Sequence, residues 1–363
     1  MQILQTDFMV AGAGIAGMCA AISAARHGLK VVLVNDRSVL GGNASSEIAV
    51  GISGANTGTF NPAIYGKETG LVEEIRLRLK YATEFGGCDR FAAYDAVFLD
   101  MIYGEDNITL LLNTVVHGCE LDNGKITAAL ARHSVSGEEF RICAPLYADA
   151  TGNGALAFEA GAEYRIGREA KSEFGEYWGQ ETADCKTMGN TILFETEDVD
   201  HEVHYKAPAF AHDVTKMDFF KDMDKPENFR HFSTRGADWT YEFGGQLDIL
   251  KDHDDIEKEL RKLTYGIWDY VKNSGKFPDA KNRVLKRVYA KAGSRESRRF
   301  IGDYILTEND IEQKIDFPDS VAIGGWPMDV HAPMGIYDPA PASNFIPVTG
   351  IYNIPFRACI PGM

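Results

Sequence analysis

Short apolar runs near the start of the chain predict strands that alternate with a helix. The first run, Phe8–Ala11, is apolar throughout, as expected for a strand buried on both faces of a parallel sheet. An alanine-rich segment follows at Ile15–Arg26 and predicts a helix. A second apolar run, Lys30–Val34, predicts the next strand. This order of elements is typical of an α/β fold with a parallel sheet.

The middle of the chain has one helical and three strand-like segments. Residues 70–81 (GLVEEIRLRLKY) place apolar residues at helical spacing and predict an amphipathic helix. Residues 107–116 and 126–134 predict strands joined through Asn123-Gly124, a dipeptide typical of tight hairpin turns. Residues 139–146 predict a further strand.

The sequence becomes aromatic, acidic and less regular after about residue 165. Within this part, Asp254–Asn273 predicts a long helix with one apolar face. The members of that face are Ile256, Leu260, Leu263, Ile267 and Val271. We therefore expect a second domain at residues 165–290, between a first part at 1–164 and a return to it at 291–363.

Three glycines, Gly12, Gly14 and Gly17, stand between the first strand and the first helix. In this setting GxGxxG is a dinucleotide-binding fingerprint, in which the glycines allow the tight turn, the approach of a pyrophosphate and close packing of the helix. The second strand ends in Asn35 and Asp36, about 20 residues further on, where a ribose-binding acid is expected. The sequence therefore predicts a dinucleotide site here.

The apolar stretch at residues 8–25 has an alternative interpretation as a signal peptide or a membrane span. Asp7 precedes it, no basic leader is present, and three glycines would weaken a spanning helix. We therefore expect a soluble chain.

Composition excludes several classes of partner. The 363 residues are 45% hydrophobic and 25% charged, typical of globular proteins, and the net charge is −16. With 37 basic and 53 acidic residues and no long basic run, we expect neither a nucleic acid nor a membrane as partner. The six cysteines include no CxxC pair, which favours reduced thiols and a cytoplasmic location. His201, His204 and His212 lack supporting ligands, so we expect no metal.

Six stretches in order along the chain resemble the FAD-dependent oxidoreductases of the glutathione-reductase-like superfamily. They are GAGIAG (12–17), VLGGNASSEI (39–48), DATGNG (149–154), WTYEFGGQ (239–246), SRESRRFIGDYILTENDI (294–311) and GGWPMDVH (324–331). The resemblance implies a Rossmann-like FAD/NAD(P)-binding domain, with a parallel sheet and a β-meander, and a second α+β substrate domain.

The resemblance also implies FAD as cofactor and a small molecule as substrate, and it leaves a homo-oligomer open. The residues expected to bind the cofactor are Gly12, Gly14, Gly17, Asn35, Asp36, Arg37, Gly41, Gly42, Asn43, Ser46, Val116, Ala150, Thr151 and Gly152.

The chain departs from relatives in two places. Relatives usually carry Glu where this chain has Asn35, and a neutral amide bonds a ribose hydroxyl less strongly than a carboxylate. On this reasoning Asn35→Glu is expected to tighten FAD binding. Relatives also continue past the equivalent of residues 354–357 into a closing strand and helix. We therefore expect a truncated chain that holds FAD weakly.

Arg295 and His331 are the candidate catalytic residues. An arginine offers a planar set of donors to an anionic or polyhydroxylated substrate or to a reduced flavin, although Arg295 also lies in a cluster typical of a solvated surface. His331 has an ordinary pKa near neutrality, which suits proton transfer, and a structural hydrogen bond is its alternative role.

The leading hypothesis is an enzyme that transfers a hydride between FAD and a small organic substrate. One alternative is an NAD(P)-dependent dehydrogenase, which would leave the stretches at 41–48 and 149–154 unexplained. A second alternative is a non-catalytic binding or assembly protein that retains the fold.

Overall fold

The computed structural model describes residues 1–54, 68–217, 241–338, 344–346 and 351–359. Trp239 and Thr240, the first two residues of the WTYEFGGQ stretch, lie outside these ranges, as do residues 360–363. The helices within these ranges are α1 (Ile15–Arg26), α2 (Leu71–Glu84), α3 (Arg90–Tyr103), α4 (Ala155–Glu159), α5 (Lys171–Phe174), α6 (His253–Asn273) and α7 (Glu308–Gln313).

Eight strands build the first half of the chain. They are β1 (Gln2–Gln5), β2 (Phe8–Ala11), β3 (Val31–Val34), β4 (Ile108–Leu111), β5 (Thr114–Asp122), β6 (Lys125–His133), β7 (Glu139–Cys143) and β8 (Leu146–Asp149). One sheet has the order β4-β3-β2-β8 and is parallel throughout. The other has the order β1-β7-β6-β5, in which β5 to β7 form an antiparallel meander. The predicted α/β fold with a parallel sheet and a β-meander is confirmed.

Shorter strands pair two by two in the rest of the chain. They are β9 (Tyr164–Arg165), β10 (Asn190–Thr191), β11 (Phe194–Asp198), β12 (Glu242–Phe243), β13 (Arg283–Val288), β14 (Arg299–Phe300), β15 (Ser320–Gly324), β16 (Met328–Val330), β17 (Asn344–Ile346) and β18 (Tyr352–Pro355). Their pairs are β10 with β12, β11 with β13, β14 with β9, β15 with β18, and β16 with β17.

The parallel sheet is the middle of three layers. Alternate side chains of its strands face opposite sides, because the side-chain period of a strand is two. Val10 and Leu33 pack with α1, α2 and α3, whereas Met9 and Val32 pack against the meander. Burial on both faces explains why β2 and β3 are apolar throughout.

Two predicted strands are each divided in two. The predicted strand at 107–116 is interrupted at Asn113, which has φ 51°, so β4 belongs to the parallel sheet and β5 to the meander. The predicted strand at 139–146 is interrupted before Pro145, and β7 and β8 again lie in different sheets. Proline cannot donate to a ladder, which explains the second break.

Other local predictions are confirmed, whereas several helices were not predicted. Asn123 and Gly124 both have positive φ in the turn between β5 and β6, as a primed hairpin turn requires. All five residues of the predicted face of α6 are buried. Helix α3 was not predicted, and its buried Phe98 and Met101 complete the helical layer.

The chain between about 190 and 290 has apolar clusters of its own. Helix α6 packs Leu263, Ile267 and Trp268 with Phe194 in one of them. Its first two turns join a second cluster through Ile256 and Leu260. Most members of these clusters lie in the range predicted as a second domain, but Ile336 joins the first and Ala292 the second, and the domain boundaries stay a prediction. None of the described helices is both long and apolar enough to cross a membrane.

Candidate functional site

A cleft of about 680 Å³ opens at the carboxyl edge of the parallel sheet. Strands β2, β3 and β8 end side by side there. The backbone hydrogen bonds between them continue for one residue past the strand ends. Gly12 N donates to the Val34 carbonyl at 2.8 Å, and Ala150 N donates to the Ala11 carbonyl at 2.7 Å. In open α/β sheets this edge is where ligands bind, and the volume suits a small organic ligand.

The three glycines after β2 have different structural roles. Gly12 has φ 93°, and a Cβ atom added there would lie 2.4 Å from the Ala150 carbonyl oxygen. A Cβ atom at Gly17 would lie 1.9 Å from the Gly12 carbonyl oxygen, so Gly17 lets α1 pack onto the turn. At Gly14 the nearest atom, Gly42 Cα, is 3.9 Å away, and φ is an ordinary −66°. Gly14 is therefore the glycine that keeps space open for a ligand.

A second glycine segment, Gly41-Gly42, lies directly beside the first and also lines the cleft. Gly41 N donates to the Ala13 carbonyl at 2.8 Å, and a Cβ atom at Gly42 would lie 3.1 Å from Gly14 Cα. Together the two segments form a concave backbone surface beside the start of α1. Such a surface suits a pyrophosphate, because backbone N–H groups and the helix dipole favour an anion there.

Asn43 and Ser46 have protein partners. The Asn43 amide donates to the Ser294 carbonyl at 2.8 Å and accepts from Ser294 N at 3.4 Å, so this cleft residue ties the glycine loop to the segment before Arg295. The Ser46 hydroxyl donates to Asp95 on α3 at 2.5 Å. Ser46 is not among the described residues that line the cleft, and its predicted role stays a prediction.

Asn35 holds the loop together, in contrast to the ribose contact expected of it. Its side-chain nitrogen donates to the carbonyls of Arg37 at 3.1 Å and Val39 at 2.8 Å, and its oxygen accepts from Ala13 N at 3.2 Å. Both donors are used, so only the second lone pair of the oxygen is left for a hydroxyl. The exposed Asp36 carboxylate, which also lines the cleft, is the better candidate for a ribose.

Asn35→Glu is therefore expected to destabilise the protein, against the expectation from sequence alone. The change removes both donations and sets a carboxylate against two carbonyl oxygens, at a cost of about 1–3 kcal/mol. Urea unfolding of the cofactor-free protein measures this cost, with Asp36→Asn as the control that spares the loop. A Glu variant that is fully stable and binds FAD more tightly would contradict the assigned role of Asn35.

The loop after β3 lies against the start of β5. Thr114 N donates to the Asn35 carbonyl at 2.8 Å, which brings Val116 to the same end of the cleft as Asp36 and Arg37. The Arg37 guanidinium is 3.4 Å from Glu47. This end combines an apolar wall with polar groups, a surface suited to the adenosine part of a dinucleotide.

The turn after β8 is fixed by Asp149. Its carboxylate accepts from Thr151 N at 3.0 Å, from the Thr151 hydroxyl at 2.7 Å and from Ala157 N at 2.8 Å, and so it also caps α4. The Thr151 oxygen accepts from Ala155 N at 2.8 Å. These bonds present Ala150, Thr151 and Gly152 to the cleft.

Four charged side chains form a network beside the cleft: Arg295, Glu242, His331 and Asp329. Of these four, Arg295 lines the cleft. Arg295 Nη2 donates to Glu242 Oε1 at 2.6 Å, and His331 Nδ1 is 2.8 Å from Glu242 Oε2. His331 Nε2 lies 2.6 Å from Asp329 Oδ1. The Glu242 side chain is only 3% exposed. The structure thus brings the two predicted catalytic residues together on one buried carboxylate.

The pKa of His331 differs from the near-neutral value expected from sequence. Burial by itself lowers this pKa, but the bonds to Asp329 and Glu242 outweigh burial and raise it to about 9. The imidazole ring is therefore protonated at neutral pH; Nδ1 donates to Glu242, and Nε2 forms an ion pair with Asp329. The His331 side chain is therefore a cation that orients the network. It can accept a proton only when the pH is well above neutral.

The raised pKa of His331 predicts a loss of stability in mild alkali. A folded-state pKa of about 9 against the ordinary 6.5 means that the stabilisation is complete below about pH 6.5 and disappears as the pH rises through 9. The expected loss is on the order of 3 kcal/mol. Urea unfolding between pH 6 and pH 10 measures it. The same slope in His331→Gln would contradict this assignment.

Several site residues were missed by sequence reasoning. Glu242 lies inside the WTYEFGGQ stretch, between two aromatic residues. An acid in such an apolar setting was the sequence signal for a buried carboxylate. His253, Glu257 and Lys291 line the cleft from the later part of the chain, and their sequence carries no motif. Among the described residues no group of three His, Cys, Asp or Glu side chains is placed to hold a metal, and the described cysteines are free thiols.

The cleft fits FAD. Its lining combines three parts: the polar and apolar groups at Asp36, Arg37 and Val116, the two neighbouring glycine segments, and Arg295. The room at Gly14, which a side chain would fill, is where a pyrophosphate would lie.

Comparisons with known proteins agree with this fit. The sequence profile of the family described as FAD dependent oxidoreductase matches residues 7–362. No curated protein sequence matches the chain.

Solved structures match only in part. One is a geranylgeranyl bacteriochlorophyll reductase-like protein from Thermoplasma acidophilum, with 16% identity, a TM-score of 0.36, and coverage of 58% of this chain and 52% of that one. The Sdh1 complex of Mycobacterium smegmatis in its apo form has 17% identity, a TM-score of 0.37, and coverage of 53% and 42%. The chain thus spans about half the length of these structures. The family match covers nearly the whole chain, and the protein belongs to the FAD-dependent oxidoreductases, with FAD as its cofactor.

Proposed function

We propose that this protein transfers a hydride between FAD and a small organic substrate held at the Arg295 end of the cleft. The observation that carries the proposal is the placement of Arg295. Its guanidinium lines the cleft and is held from behind by a buried carboxylate, Glu242, at 2.6 Å. A donor fixed in this way is suited to orient a polar group of a substrate.

The charges of the network indicate the class of substrate. Arg295 and protonated His331 are balanced by Glu242 and Asp329, so the four side chains have no net charge. A substrate carboxylate that entered this neutral and poorly hydrated network would lose its water shell. No unbalanced positive charge in the network would compensate for that cost. A hydroxyl or carbonyl oxygen needs only a donor. The proposed substrate is therefore an alcohol or a carbonyl compound.

His331 acts through Glu242 in this proposal. Its two ring nitrogens face oxygens of Glu242 and Asp329, which fixes the carboxylate that in turn orients Arg295. His331 is thus a positioning residue, and Arg295 is the residue that contacts substrate. When bound, FAD supplies the hydride acceptor or donor, and the residues of this chain supply position and charge.

Anaerobic reduction of the FAD-loaded protein tests the proposal. We expect one of a panel of alcohols to bleach the visible absorption of oxidised flavin, and the matching carboxylic acids to fail. Arg295→Ala should lower the rate by about 100-fold or more, with Arg295→Lys between it and the wild type. Arg26→Ala is the matched control, because Arg26 is also paired with carboxylates but lies at the end of α1 away from the cleft.

Two results would overturn the proposal. The first is full reduction of the bound FAD by a nicotinamide cofactor, at a rate that does not depend on Arg295 and with no response to alcohols or carbonyl compounds. This result would point to a different reaction. An FAD-loaded protein that no substrate class reduces or reoxidises would favour a binding or assembly role.

A further inference from the structure

Asn153 brings a polar side chain to the cleft from the turn that follows β8. It is exposed and belongs to the residues that line the cleft. The turn packs directly on the first glycine of the fingerprint, because a Cβ atom added at Gly12 would lie 2.7 Å from Thr151 Cα. Asn153 follows that contact after one intervening residue, so it lies beside the glycine turn where a pyrophosphate would bind.

Two residues from a distant part of the chain hold Asn153 in place. Arg298 Nη1 donates to the Asn153 carbonyl at 2.9 Å, and the guanidinium carbon of Arg298 is 4.0 Å from the centroid of the Phe158 ring on α4. The Ser297 hydroxyl donates to Asn153 Oδ1 at 3.1 Å. Both oxygen atoms of Asn153 therefore accept hydrogen bonds from the protein.

The bond to Ser297 decides which end of the Asn153 amide is left for a ligand. Ser297 is only 3% exposed, so its hydroxyl proton needs an acceptor within the protein, and Asn153 Oδ1 is that acceptor. A flipped amide would set its NH2 group against the hydroxyl and leave the buried proton without an acceptor. Among the described residues, none accepts a hydrogen bond from Asn153 Nδ2. Its two N–H donors are therefore available to a ligand.

The order of the strands shows which part of a dinucleotide these donors would meet. Strand β3 lies on one side of β2 and β8 on the other. The polar residues suited to adenosine, Asp36 and Arg37, follow β3, whereas Asn153 follows β8. Asn153 is thus separated from the adenosine end by the glycine turn and the start of α1, where the diphosphate is expected.

We propose that Asn153 Nδ2 donates hydrogen bonds to the diphosphate of the cofactor, with Ser297 as the positioning residue that orients the amide. Hydrogen bonds to an ionised acceptor are roughly twice as strong as those between neutral groups, which makes a fixed amide donor an effective ligand for a diphosphate. Asn153 adds a side-chain donor to a site otherwise built from backbone N–H groups. This contact does not depend on which substrate the protein uses.

Titration of the cofactor-free full chain with FAD, ADP, adenosine and riboflavin tests the contact. Asn153→Ala should weaken the binding of FAD and ADP about tenfold. Asn153→Asp should weaken it about 100-fold, because the carboxylate still accepts from Ser297 but meets the diphosphate with like charge. Adenosine and riboflavin carry no phosphate and should bind the variants and the wild type equally. Added salt should reduce the loss in Asn153→Asp more than the loss in Asn153→Ala.

Ser297→Ala tests the positioning role. It should weaken FAD binding about threefold on its own and cause no further loss in the Asn153→Ala background, because no amide is then left to orient. The matched control is Asn273→Ala, since Asn273 is also an exposed asparagine but ends α6 and is absent from the cleft lining. Circular dichroism checks that every variant folds.

Three results would overturn the proposal. The first is an affinity for ADP that Asn153→Asp leaves unchanged. The second is a loss of riboflavin binding that ADP does not share, which would place the amide against the flavin. The third is an equal loss for all four ligands, which would show that the substitutions only disturb the shape of the cleft.

Discussion

Replacing Gly14 with valine is expected to abolish FAD binding and leave the fold intact. The backbone at Gly14 suits any residue, and the nearest protein atom to an added Cβ is 3.9 Å away. The valine side chain therefore occupies the space left for the pyrophosphate. We expect affinity to fall by about 100-fold or more, equal to about 2.7 kcal/mol, with Gly14→Ala between it and the wild type. Fluorescence titration of the cofactor-free protein with FAD measures the loss.

Two other glycines give the matched controls. Gly17→Val should prevent folding, because its Cβ would lie 1.9 Å from a backbone oxygen. Gly118→Val should fold and bind FAD normally, since its Cβ meets only Leu130 at an ordinary 3.7 Å. Unchanged FAD affinity in Gly14→Val would remove Gly14 from the phosphate site.

Replacing Glu242 with leucine is expected to cost about 3–5 kcal/mol of the free energy of unfolding. Glu242 is buried and is the shared partner of Arg295 and His331. Without its carboxylate, Arg295 and His331 share only Asp329, and one positive charge is left unbalanced in a poorly hydrated place. The pKa of His331 should also fall, because one of the two contacts that raise it is lost. Urea unfolding at neutral pH measures the cost.

A surface ion pair provides the comparison for Glu242. Glu181 pairs with Lys171 but its side chain is 80% exposed, and Glu181→Leu should cost less than about 1 kcal/mol. Equal costs for the two substitutions would show that the Glu242 network is solvated, and the argument for a fixed Arg295 would then fail.

The parts of the site predicted from the sequence are those encoded over short distances. The turn at Gly12 to Gly17 and the hairpin at Asn123-Gly124 each depend on local backbone geometry, and residue type shows this directly. The buried face of α6 repeats with the helical period, so it was also predictable. The family resemblance then predicted FAD as cofactor and most of the residues that line the cleft.

The parts that were not predicted depend on partners distant in sequence. The bonds that join Glu242 to Arg295 and to His331 span 53 and 89 residues, and no local pattern indicates them. The direction of the Asn35 side chain is likewise decided by carbonyls of a loop whose path is set by the fold. A histidine pKa follows from such contacts, which is why a near-neutral value was expected for His331 and a pKa of about 9 was found.

The Asn43–Ser294 bond joins residues 251 positions apart and thereby connects both walls of the cleft. In an unfolded or partly folded chain the two walls of the cleft are not held together, so only the complete fold binds FAD. By mass action the cofactor then stabilises the native state alone, by about 2.7 kcal/mol at a free concentration one hundred times its Kd. In a cell, the supply of FAD would therefore help to set how much of this protein survives proteolysis.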